Sequence, residues 1–222
     1  VAHWVFIHGL AQGLDVNLSE REDPARSPVA EAVVDKVLAQ AGRDIADIDL
    51  VDLYSCFPCA VASVAEHLGL PLDGSRPLTL TGGLAYFGGP GNNYVMHSLA
   101  EAVSQLREQP QAYALVSSVG GVLSKHGAGV YSAQPSAINW ADVDTTVSKD
   151  IVRALPIVEA PESGRIISYL VNYRGAEPDH AVVLAEPADG GRFVAMAPPG
   201  DTALMAALLA EDTVGKEGKI TP

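Results

Sequence analysis

Two textures of apolar and polar residues follow one another along this chain, and the change falls near residue 133. WVFIHGLAQG (4–13) opens apolar and β-branched and runs into glycine, the pattern of a buried strand. A charged loop, EREDPARS, follows. Ser27 then stands where a helix N-cap belongs and Pro28 where a first helical residue belongs. Ala30, Val33, Val34, Val37, Leu38 and Ala41 recur at helical spacing until Gly42, a residue suited to stopping a helix. IDLVDLYSCF (48–57) predicts a strand with polar groups at its end, and PCAVASVAEHLGL a short helix opened by Pro58. PLTLTGGLAYFGGPGNN predicts a strand running into a glycine-rich loop. In YVMHSLAEAVSQLREQ (94–109), Val95, Leu99, Ala102, Val103 and Leu106 share one helical face, which Asn92 or Asn93 precedes as a capping candidate. YALVSSVGG (113–121) predicts another buried strand and GAGVYS (127–132) a strand returning beside it.

Strands alternating with helices predict an α/β layer. Continuous apolar runs such as YALV suit a sheet covered on both faces. In such sheets a ligand sits beyond the carboxyl ends of the strands. Those ends read YSCF, TGGLAYFGGPGNN and SSVGG, and the glycine-rich stretch carries no charge. From 133 to 156 the chain contains proline, lacks strong periodicity and reads as a linker. From 157 to 222, short β-rich runs alternate with the turn chemistry of RGAEPD and PADGG, and DTALMAALLAED predicts a short helix. That tail predicts a small antiparallel β-barrel, OB-like in size.

Composition narrows the function. The 222 residues carry a formal net charge of −13, with only 14 basic residues scattered along the chain. Nucleic acid, which selects clustered Lys and Arg, is excluded as a partner. No apolar run is long enough for a transmembrane helix. The chain begins with Val in the manner of a strand already under way, so a piece of something longer is expected. The two cysteines, Cys56 and Cys59, lie in CFPC without a second pair or a zinc-spaced histidine. The apolar flanks predict buried free thiols in a reducing, cytoplasmic setting, with no metal site. GGLAYFGG lacks the lysine of a P-loop, and SSVGG lacks the glycine of a serine-hydrolase elbow. His3, His8, His67, His97 and His180 have no partner constellation and read as structural.

The order of these segments resembles the C-terminal half of a thiolase, of the sterol-carrier-protein type. YSCF (54–57) matches a loop that reads NEAF or HDCF in that superfamily. GGLAYFGGPGN (82–92) matches its GGxxxxGHPxG loop, and SVG (118–120) its CxG loop. The tail resembles the barrel added to thiolase-like proteins of type 1. The resemblance implies an α/β thiolase-like C-terminal domain over 1–132, a layered αβα arrangement with a mixed sheet, then the linker and the barrel. It also implies a CoA thioester as ligand, no other cofactor, and an N-terminal thiolase-like half as partner bearing the nucleophilic cysteine.

The departures alter the expected chemistry. Gly89 stands where the resemblance puts a catalytic histidine, Ser118 where it puts an acid/base cysteine, and Tyr54 where it puts Asn or His. Loss of one general base costs about 10²–10⁴-fold, so ordinary thiolase turnover is not expected. The catalytic candidates that remain are Tyr54, Ser118 and His126. His126 either folds back towards the site or stands as a loop histidine beside Lys125. Gly88, Gly89 and Gly120 are candidates for binding substrate through backbone amides, and Asn92 through its side chain. A lipid or sterol acyl-CoA protein without thiolase catalysis is the leading expectation. A retro-aldolase using Tyr54 and a non-catalytic interaction module are the alternatives.

Overall fold

The computed structural model describes residues 4–159, 161–197 and 199–219; His3 lies outside them. The chain forms two compact units. One takes the chain through Leu18 together with Asp23–Arg153, the other Ser19–Glu22 with the chain from Ala154 on.

The first unit contains β1 (Phe6–Leu14), α1 (Pro28–Ala41), β2 (Leu50–Asp52), α2 (Pro58–His67), α3 (Leu84–Phe87), α4 (Tyr94–Glu108), β3 (Tyr113–Gly120), β4 (Lys125–Ser132) and β5 (Thr146–Val147). Its sheet runs β2-β3-β4-β1-β5. β4 is antiparallel to both β1 and β3, while β2–β3 and β1–β5 are parallel. α1 begins and ends as its sequence predicts. The Ser27 hydroxyl accepts the Ala30 N–H at 3.1 Å, and Gly42 closes the helix at φ +61°.

α1 lies very close to β1. A Cβ on Gly9 would sit 2.3 Å from the Val37 carbonyl oxygen, so only glycine fits there. Val29, Val33, Val34 and Val37 pack with Ala11, Leu115 and Val130 on this face, joined by α2 through Val64 and Ala65. α4 covers the opposite face, placing Ala102 and Leu106 against Ala114 and Val116. Each such Val or Leu contributes about 1.5–3 kcal/mol by leaving water. The result is a helix–sheet–helix layering with a mixed sheet.

Two expectations are corrected here. No strand forms at 77–81; the segment makes one ladder-like bond, Leu53 N–H to Leu78 C=O at 2.8 Å. The cause is Asp52, whose Oδ2 takes the Leu80 N–H at 2.7 Å and diverts the backbone. Of the segment 133–156 read as a linker, the part up to Arg153 groups with the first unit, where β5 pairs with β1, and Ala154 onward groups with the second.

The second unit holds β6 (Ser163–Arg174), β7 (Glu177–Glu186), β8 (Phe193–Ala197), α5 (Thr202–Ala210) and β9 (Glu217–Lys219). The antiparallel order is β8-β7-β6-β9. Irregularities at Ile166/Ser168 and Asn172/Tyr173 interrupt the β6–β7 register, and bulges of this kind increase curl. Among the described residues no ladder joins β8 to β9, so the curled sheet is a half-barrel where a barrel was expected. Met205 and Leu208 of α5 pack on Ala181 and Ala197. The buried Arg192 guanidinium donates to the Glu22 carbonyl at 2.9 Å and meets Glu186 at 3.3 Å, fastening Ser19–Glu22 into this unit.

Candidate functional site

The carboxyl ends of β2 and β3, the start of β4 and the glycine-rich loop enclose a cavity of about 240 Å³. Of the seven candidate residues, Tyr54, Asn92, Ser118, Gly120 and His126 line it, together with Gln12, Val95 and Lys125. Gly88 and Gly89 are exposed and do not line it. A second opening of about 290 Å³ shares Gln12, Val95, Ser118 and Gly127 and continues along Leu10, Val116 and Tyr131. The polar groups therefore cluster at one end of an apolar groove.

Tyr54 follows β2 and is 9% exposed. Its N–H donates to the Ser117 hydroxyl at 3.0 Å, and its ring meets Tyr94 edge-on at 5.4 Å. Burial pushes the phenol pKa up, with smaller contributions from Cys56 and Tyr94. At neutral pH the group is thus a proton donor, not a base.

Ser118 donates to the Gly127 carbonyl at 3.3 Å across the β3–β4 pair. A Cβ on Gly127 would approach the Ser118 oxygen to 2.7 Å, so the facing glycine makes room for this hydroxyl.

His126 is buried, which excludes the solvent-facing alternative. Its Nε2 lies 2.9 Å from the Leu123 carbonyl and 3.1 Å from the Ser27 hydroxyl. A carbonyl only accepts, so Nε2 carries the hydrogen and Nδ1 is the basic nitrogen of the neutral ring. Ser27 also hydrogen-bonds Asp15. Through Ser27, His126 is tied to the start of α1, which makes it a wall of the cavity first and an acid/base candidate second.

The turn between β3 and β4 is strained. Gly121, Val122 and Leu123 all have left-handed φ, at +56°, +54° and +62°. For a β-branched residue such as Val122 this is a genuine outlier. The Leu123 carbonyl that His126 holds belongs to this turn.

In the glycine-rich loop, Gly82, Gly83, Gly88 and Gly91 have positive φ, but Gly89 does not. A Cβ at Gly89 would meet only Leu84, at 3.7 Å. Neither backbone geometry nor crowding requires glycine there. Gly83 is needed: its φ is +93°, and a Cβ would lie 2.9 Å from the Ser55 oxygen. That Ser55 oxygen is buried without a hydrogen-bond partner. The capping expectation for Asn93 fails, since it precedes α4 without a side-chain bond to it.

Sequence reading missed the group that holds the loop. Asp52 is fully buried at the end of β2. Its Oδ1 accepts the Ser98 hydroxyl at 2.7 Å, and its Oδ2 accepts the Leu80 N–H at 2.7 Å and the Thr81 N–H and hydroxyl at 3.3 Å. Thr81 also meets the Tyr94 hydroxyl at 2.6 Å and accepts the Gly83 N–H at 3.1 Å. The available signal was an aspartate inside an apolar strand, which must find donors when buried.

The thiols also differ from expectation: Cys56 is half-buried and Cys59 exposed. Burial raises the Cys56 thiol pKa. Other histidines find local partners, His67 with Asp35 at 2.9 Å and His180 with Asp179 at 2.9 Å. Among the described residues no cluster of His, Cys, Asp and Glu is arranged to hold a metal, and no helix is long and apolar enough to cross a membrane.

No family model and no curated protein matches the chain. Solved structures do match. A monomeric SCP2-thiolase-like protein type 1 from Mycobacterium smegmatis superposes with a TM-score of 0.87 at 35% identity. The match covers 100% of this chain and 50% of that one, so the chain spans half the length of that protein. The fold is thiolase-like.

Proposed function

We propose that this chain is the C-terminal half of a thiolase-superfamily protein that binds a CoA thioester of lipid or sterol metabolism without ordinary thiolase turnover. The observation that carries the reading is the cavity at the strand ends, where Tyr54, Asn92, Ser118 and Gly120 meet. The superfamily resemblance implies a substrate at this position, and the thiolase-like fold is consistent with that reading. Gly89 and Ser118 offer neither an imidazole nor a thiol for proton transfer. Backbone amides and the Asn92 amide supply neutral donors suited to a thioester oxygen. Two free thiols suit a reducing compartment, and we assign the protein to the cytoplasm.

Its partner is an N-terminal thiolase-like half. Leu10 and Leu14 alternate along β1 with the glycines that meet α1, and both are exposed, as is Met96 on α4. An exposed apolar face of this kind suits a permanent contact. Calorimetry of the chain produced together with its upstream half tests the proposal with hexanoyl-CoA. Saturable binding with no thiolysis is the expected result; absence of binding overturns it and favours a non-catalytic interaction module acting through the half-barrel.

One observation favours a second reading, retro-aldol cleavage of a 3-hydroxyacyl-CoA. The raised phenol pKa keeps Tyr54 protonated at the cavity wall. There it would give its proton to the thioester α-carbon as the carbon–carbon bond breaks, and the proton leaving the 3-hydroxyl would return to the phenolate. Cleavage of a 3-hydroxyacyl-CoA that disappears in Tyr54→Phe would support this reading, and unchanged turnover would remove it.

A further inference from the structure

The half-barrel has a cavity of its own, about 160 Å³ in volume. Ile166, Val183, Ala185 and Phe193 wall it, and Leu204 and Leu208 of α5 close one end. Register explains the apolar wall: Ile166 pairs with Ala185, Ala185 with Phe193, and Val183 with Ala195, which puts them on one face of the sheet.

The volume exists because small residues line it, and they are small for different reasons. Gly164 has no choice, since a Cβ would lie 2.6 Å from the Phe193 ring. Gly218 has ordinary φ, and a Cβ there would meet only Ile166 and the Gly164 carbonyl at 3.8 Å. Nothing steric demands glycine at 218, and its missing side chain is open volume. Protein interiors normally fill such space. An apolar cavity of about 150 Å³ accepts a molecule the size of benzene.

The rim is apolar and open, with Met196 65% exposed and Leu204 40% exposed. It carries one charge of each sign, Asp201 and Lys219. The Asp201 carboxylate is occupied, accepting the Leu204 N–H at 3.1 Å as the cap of α5. Lys219 has no ion-pair partner among the described residues. An apolar slot with Lys219 in its lining complements a single aliphatic chain with an anionic head.

We propose that the half-barrel binds a medium-chain carboxylate, its tail between β6, β7, β8 and α5 and its head at Lys219. About six to eight carbons match the volume, by comparison with the benzene-sized cavity. The proposal is independent of the thioester reading, because every residue it uses belongs to the second unit.

Octanoate is the probe, titrated into the intact chain by calorimetry and followed by amide chemical shifts. One site is expected, with shifts at Ala185, Phe193 and Leu208. Gly218→Leu and Ala195→Leu each fill the cavity, and each should weaken octanoate about tenfold, as expected from the loss of one or two buried methylenes. Native far-UV circular dichroism selects the variants that count. Lys219→Gln should weaken octanoate about threefold while leaving octanol unchanged, the scale of an exposed ion pair. Absence of octanoate binding, shifts confined to the first unit, or undiminished binding by a folded cavity-filled variant would overturn the proposal.

Discussion

Removing the Asp52 carboxylate should loosen the glycine-rich loop from a distance. Among the described residues no cation pairs with Asp52; its hydrogen-bond partners are neutral donors. In Asp52→Ala, the Leu80 N–H and Ser98 hydroxyl lose 2.7 Å bonds, and the Thr81 donors lose longer ones. Each buried donor left unpaired costs about 1–3 kcal/mol. Ser98 and Thr81 recover part of this by rotating their hydroxyls, but the Leu80 N–H cannot turn. The expected loss is about 3–5 kcal/mol, a large share of a total near 5–15 kcal/mol. Asp52→Asn retains an oxygen for Leu80 and lets Ser98 reverse its hydroxyl, so about 1–2 kcal/mol is expected. Urea unfolding measures the totals, and amide hydrogen exchange locates them. Exchange should accelerate first at Leu80, Thr81 and Gly83, whose N–H groups depend on Asp52 or Thr81. A loss under about 1 kcal/mol in Asp52→Ala, or unchanged exchange at those amides, would refute the reasoning.

Four further outcomes follow from geometry already described. Val122→Gly should stabilise the chain by about 1 kcal/mol in the same urea assay, because it releases a left-handed β-branched residue. Gly9→Ala should destabilise by about 2 kcal/mol or more, since its Cβ meets backbone and not a movable side chain. Burial raises the phenol pKa values of Tyr54 and Tyr131. Their contribution to stability is therefore complete below the unfolded value near 10 and is lost as pH rises through the folded values, so absorbance at about 295 nm should show late ionisation with alkaline unfolding. Ellman's reagent should label exposed Cys59 quickly and Cys56 slowly, since burial raises the Cys56 pKa; equal rates would contradict the geometry.

Local signals in the sequence were strong wherever one residue settled one bond. Ser27, Pro28 and Gly42 specify the ends of α1 because each acts within a single turn. The strand ends YSCF and SSVGG led to the cavity because open α/β sheets place ligands there. The loop preceding the glycines was misread as a strand because its backbone donors go to the Asp52 side chain, which no periodicity reports. The Asn93 cap was misread for a related reason, since a three-residue 3₁₀ turn at Gly91–Asn93 leads directly into α4. The half-barrel was read as a barrel because alternation predicts strands but not whether the edges β8 and β9 meet.

The residues that hold the glycine-rich loop and those expected to move protons in the candidate site are different residues. Asp52, Thr81, Tyr94 and Ser98 hold the strand end, the loop and α4 together through a closed set of hydrogen bonds. None of them occupies the positions that the thiolase resemblance assigns to proton transfer, Gly89 and Ser118. The loop's shape therefore does not depend on an imidazole at 89 or a thiol at 118. Gly89 reinforces the point, because a side chain there would meet only Leu84 at 3.7 Å. On the proposed reading, a missing histidine that the fold has room for is a change of chemistry, not a concession to packing. On that reading, the hydrogen bonds around Asp52 keep the loop's geometry intact while the site works through neutral donors alone.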